Sequence, residues 1–142
     1  MNGDSRADVP VVRHHDHALE AQGRADAAVA DGLRTPEELQ GGMYHERAGV
    51  RRRVVDRLIA RGADHPNTIP TLVDVLKNDP DPVPRFMVAM DLYQLDPDPR
   101  IVDALLDSMR NDSDIDVRDN AMFSLDHLGL LDSALRNPGR SR

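Results

Sequence analysis

LKNDPDPVPRFMVAMDLYQL at 76–95 and MRNDSDIDVRDNAMFSLDHL at 109–128 are the two stretches whose comparison decides the fold. Laid over each other at a constant shift of 33 residues, six of their twenty positions are identical: Asn78/Asn111, Asp79/Asp112, Asp81/Asp114, Arg85/Arg118, Leu92/Leu125 and Leu95/Leu128. Self-similarity at a fixed period of this size is the mark of stacked supersecondary units. The same shift brings in a third copy upstream. Leu39, Leu72 and Leu105 align, as do Met43, Leu76 and Met109, then Glu46, Asp79 and Asp112, then Arg52, Arg85 and Arg118. Val55, Val88 and Ala121 follow, then Ile59, Leu92 and Leu125. In the first copy Val50-Arg51 offers an alternative register one residue earlier.

Each copy reads as two helices. The first opens on a cap with proline in the first turn, where the missing N–H has no helical partner to lose. Thr35-Pro36-Glu37-Glu38 has capping-box spacing, Asp98-Pro99 opens the third copy, and Thr68-Ile69-Pro70 is a variant with proline one place later. Apolar residues then return at helical spacing, as in Ile101, Val102, Leu105, Leu106 and Met109. Prolines and Asx residues between the helices stop the first and cap the second.

These residues resemble HEAT-like repeats of the phycobilisome-lyase type. Asp112, Val117-Arg118, Ala121, Leu125, Leu128 and Gly129 carry that pattern, whereas the middle copy has Pro84, Val88 and Asp96 where the pattern has Val, Ala and Gly. The resemblance covers about 35–129. It implies an all-α, right-handed α-solenoid of about three HEAT-like hairpins with capping helices. It also implies that Asp79, Asp112, Arg85 and Arg118 form a structural ladder between neighbouring turns. The expected repeats are 35–62, 67–95 and 98–129 within one domain at 13–136, with mobile tails at 1–12 and 137–142. An Ala-rich helix over 18–31 is expected to close one end, and a short helix over 130–135 the other, because a terminal hairpin cannot bury its apolar stripe alone.

Composition limits the function. No cysteine is present, which removes disulfides and thiolate metal sites. No apolar run of membrane-spanning length occurs, and the first residues lack a signal-peptide layout, so a cytoplasmic protein is expected. The net charge of −7 and the absence of Trp oppose a nucleic-acid-binding reading, including a HEAT-like glycosylase with a basic surface. Charge is nonetheless segregated. Residues 46–61 carry six Arg against Glu46 and Asp56, and residues 74–126 carry thirteen Asp against Lys77 and four Arg.

No nucleophile elbow, phosphate loop or His-Glu-x-x-His helix appears, so no enzyme and no cofactor is expected. His14, His15 and His17 with Asp16 have donors suited to a metal, but in one short segment they read as a solvated tail or helix start. The remaining signal is a second apolar face. On a wheel of 100° per residue, Val88, Leu92 and Leu95 define a core stripe, while Phe86, Met90 and Tyr93 fall together on the far side, at about 140–200°. Shifted by 33, that face holds Arg53 and Arg57 before it and Asp119, Phe123 and Asp126 after it. Such a face either meets a partner or is covered within the chain, by the N-terminal segment folding back over Phe86 and Met90. The expected function is a protein-binding adaptor or scaffold whose concave face runs basic, apolar, then acidic and favours a basic protein partner. Alternatives are an inhibitor or immunity protein masking a basic toxin, or a tetrapyrrole-handling accessory protein. The residues do not fix the oligomeric state; nothing in the terminal helices demands pairing, which favours a monomer.

Overall fold

The described residues run through eight α-helices: α1 (Gly3–Asp31), α2 (Pro36–Gly42), α3 (Ala48–Arg61), α4 (Thr68–Asn78), α5 (Pro82–Asp91), α6 (Pro99–Asn111), α7 (Ile115–His127) and α8 (Leu131–Arg136). The computed structural model describes residues 3–136, with side chains from His17 onward, and no strand occurs among them. The expected C-terminal tail at 137–142 lies outside the described residues. The N-terminal segment is placed differently from expectation: α1 begins at Gly3, well before position 18.

The hairpins α2–α3, α4–α5 and α6–α7 stack into a short solenoid in two layers. First helices form one layer, with α4 against α6, and second helices form the other, with α3 against α5 and α5 against α7. Helix α1 joins the second layer by packing on α3, and α8 closes on α7. The repeated leucines Leu39, Leu72 and Leu105 are each fully buried between the layers.

Local chemistry sets the helix ends. Thr35 Oγ1 accepts from Glu38 N at 3.1 Å while Glu38 Oε1 accepts from Thr35 N at 3.0 Å, closing the capping box that starts α2. These backbone donors hold the Glu38 carboxyl below its ordinary pKa. Asp81, Asp98 and Asp114 cap α5, α6 and α7, each accepting a backbone N–H two residues on. Helix α7 ends on Gly129 at φ +75°, with Gly129 N donating to Asp126 O and Leu130 N to Leu125 O. That left-handed residue closes the helix cleanly. Asp96 stands at the equivalent place in the middle repeat, and there the helix stops at Asp91 and tightens into a 3-10 turn over Leu92–Gln94. Tyr93 therefore sits on that turn, not on a continuous helix through 95.

One register expectation is corrected. Arg51, not Arg52, is the counterpart of Arg85 and Arg118, because each of the three donates through Nη1 to the carbonyl six residues before it: His45, Asp79 and Asp112. One residue fewer separates Leu39 from Arg51 than separates Leu72 from Arg85, so the second helices align at a shift of 34 between the first two repeats. Val54, Val88 and Ala121, then Leu58, Leu92 and Leu125, are the true equivalents, and none exceeds 1% exposure.

The contact of α1 with α3 is close enough to require glycine. A Cβ built on Gly49 would lie 2.0 Å from Asp26 Oδ2. Asp26 cannot swing aside freely, since Arg47 Nε donates to its Oδ1 at 2.7 Å and Gln22 Nε2 to the same atom at 3.0 Å. Those donors, Arg47 first, hold the Asp26 carboxyl below its usual pKa. Gly49→Ala is expected to loosen α1 and destabilise the fold by about 1–3 kcal/mol, the usual cost of overpacking. Hydrogen exchange of α1 amides checks it, and unchanged protection there would contradict this packing.

Candidate functional site

Two sets of side chains stand out on the stack. The first runs along the turns. Arg51 Nε donates to Asp79 Oδ2 at 2.8 Å and Nη2 to Oδ1 at 3.1 Å, with the arginine side chain 9% and the aspartate 3% exposed. Arg85 grips Asp112 the same way, at 3.1 and 3.2 Å. Each aspartate also accepts the backbone N–H two residues on, from Asp81 or Asp114, at 2.9 Å. One carboxylate thus fixes its own turn and the preceding repeat together, through the planar fork that suits guanidinium. The structure brings Asp79, Asp112 and Arg85 into this chain of contacts and extends it to Arg51. Among the described residues, Arg118 holds only the carbonyl of Asp112, at 2.7 Å.

The second set lies on the outer face of α5, the 3-10 turn and α7. Tyr93 meets Phe123 edge-to-face, with ring centroids 5.6 Å apart, and the His127 ring lies 4.6 Å from Tyr93 and 4.2 Å from Phe123. Phe123 is 41% exposed. Met90 and Tyr93 are half-buried, and Asp119 and Asp126 are exposed on the same helix as Phe123. Phe86 is half-buried and packs partly on the core. Ser124 Oγ ties α7 to α5 beneath this face by donating to Ala89 O at 2.5 Å. Asp91 lies beside it, its carboxyl pKa raised by burial and by the nearby Asp56.

The basic first step of the expected gradient is not on this surface. Arg57 Nη1 donates to Ala30 O at 2.6 Å and also to Leu33 O, so it satisfies carbonyls at the end of α1. Arg53 is half-buried, and its Nη2 lies 3.9 Å from a Cβ built on Gly23 in α1. The one-residue register slip puts Arg52 and Asp56, both exposed, in line with Phe86 and Met90. The face therefore runs from mixed charge to apolar to acidic.

Three participants escaped the sequence reading. His127 looked unrelated to the repeats, yet an aromatic four residues before it put it on the same helix face as Phe123. Asp26 lies in α1, outside the repeats, and Arg47 in the first repeat, and only the Gly49 opposite hints at a close helix crossing. Of the histidine cluster, His14, His15 and Asp16 have side chains outside the described residues, and His17 is exposed on α1. Among the described residues, no group of three or more His, Asp or Glu could hold a metal ion, and no helix is long and apolar enough to cross a membrane.

No curated protein and no solved structure matches the chain. A family model of HEAT repeats matches residues 37–126, from the start of the first hairpin to the end of the third. HEAT repeats commonly mediate protein–protein interaction. The match spans more than half the chain and coincides with the stacked hairpins and their Arg–Asp contacts: the chain belongs to the HEAT-repeat family.

Proposed function

We propose that the chain is a non-catalytic protein-binding adaptor whose contact surface is the face formed by Met90, Tyr93, Phe123 and His127, with Asp119 and Asp126 beside it. The observation that carries this reading is the aromatic cluster around Phe123, held at 41% exposure on a rigid helix where one amphipathic stripe toward the core needs no such residues. A preformed patch of aromatics and Met is what an interface core favours, since little side-chain entropy is lost on binding. The exposed carboxylates of Asp119 and Asp126 favour a partner that is basic around an apolar centre, and they act chiefly on association rate and selectivity.

The test pairs Met90→Gln with Phe123→Ser in the full chain. Affinity capture from the native cell by the wild type should recover a basic protein that the double variant loses. The melting temperature should fall by less than about 4 °C, because these side chains are not sealed in the core. Retention of the same partner by the variant would refute the assignment of this face. Binding should weaken as salt rises, in keeping with screened surface charge.

A further inference from the structure

The two complete rungs of the turn ladder share one geometry. Nη1 of the arginine takes the carbonyl of its own turn, and the Nε–Nη2 edge takes the aspartate that C-caps the first helix of the next hairpin, Asp79 after α4 or Asp112 after α6. Arg118 completes the first half of this pattern, with Nη1 on Asp112 O, and its Nε–Nη2 edge holds no carboxylate among the described residues. An independent observation lies at the same end. Ile69, Leu76, Ala89 and Leu95 are buried in the middle repeat. Their counterparts 33 residues on, Val102, Met109, Met122 and Leu128, are only half-buried although α8 packs there.

We propose that this end of the stack is a docking face for a helical hairpin of another protein, seated by an aspartate at the C-cap of the hairpin's first helix. The chain displays twice what fills such a fork, and the half-covered apolar positions in the last repeat are those that a further hairpin seals in the middle one. A second copy of this chain is a poor occupant. At its other end the carbonyl position equivalent to Asp79 and Asp112 is His45, the neighbouring Glu46 carboxylate caps no helix end, and α1 already packs on α3 there. The inference concerns a different surface from the Phe123 face and does not rest on it.

The experiment titrates the full chain, with arginine labelled in nitrogen-15, with a synthetic peptide copying residues 98–130, which carries the Asp112 turn. A saturable shift of the Arg118 Nε–H resonance is expected. Asp112→Ala in the peptide, or Arg118→Gln in the protein, should weaken binding by about tenfold or more, since each leaves one charge of the pair unmatched. Arg118→Gln should melt within about 4 °C of the wild type, because Arg118 closes no rung. The Met90→Gln/Phe123→Ser variant should bind the peptide as the wild type does. Absence of a saturable shift at millimolar peptide, or equal binding by Arg118→Gln, would overturn the proposal. So would self-association of the chain that Arg118→Gln abolishes, which would give the face to a second copy.

Discussion

Asp79→Ala is expected to lower the stability of the fold by about 3–5 kcal/mol, because it strands the nearly buried Arg51 guanidinium without its counter-charge. For a chain of this size that corresponds to a fall in melting temperature of roughly 10–15 °C. Two further losses are included: the N–H of Asp81 loses its acceptor, and the turn that presents the Asp79 carbonyl to Arg85 loses its brace. Replacing both partners, Arg51→Met with Asp79→Leu, should recover a large part of the loss, since removing both charges leaves neither desolvated and alone. Thermal unfolding of the single and double variants decides the matter. A single variant within about 3 °C of the wild type would show that the rung is not needed for register.

Leu72→Ala should have an effect of similar size. Leu72 is fully buried in the middle repeat, between Leu39 and Leu105 of its neighbours, and helices enclose it on both sides. A cavity there cannot collapse by shifting a free end, which places the cost toward the upper part of the 2–5 kcal/mol range for such truncations, about 4 kcal/mol. The consequence goes beyond the magnitude. In a stack whose repeats touch only their neighbours, a weakened centre uncouples the two ends. Hydrogen exchange should show α2–α3 and α6–α7 opening at different free energies in the variant. A single uniform loss of protection across the chain would mean that the stack unfolds as one unit regardless.

Much of this architecture was legible in the residues. The constant shift of the leucines, the Asp-Pro and Thr-Pro starts and the capping box all report local chemistry, and local chemistry survives folding unchanged. The Arg–Asp contacts were legible as residue types but misplaced in the first repeat, because the spacing from Leu39 to Arg51 is one residue less than that from Leu72 to Arg85, which slides the whole of α3. Side-chain identity alone could not choose between Arg51 and Arg52. The surface reading suffered more. Arg53 and Arg57 looked like the basic edge of a binding face because a helical wheel does not know what packs beside it. The carbonyls at the end of α1 claim Arg57, and that contact spans 27 residues of sequence. Tyr93 was placed on a helix that ends two residues before it, where Asp96 supplies no left-handed closure.

Helix α1 makes the two ends of the molecule chemically unlike. Its own side chains cover α3 through Asp26 and the Gly49 crossing, while at the far end the Nε–Nη2 edge of Arg118 meets no carboxylate among the described residues. Head-to-tail addition of identical chains would bring that edge toward His45, whose ring already accepts an N–H, and toward the exposed Glu46 beside it, at an end where α1 packs on α3. Heterologous contacts of this kind grow into filaments only when the two ends match. Here they differ, so a partner hairpin seated at the Arg118 end, as proposed, is not expected to propagate into a filament of identical chains.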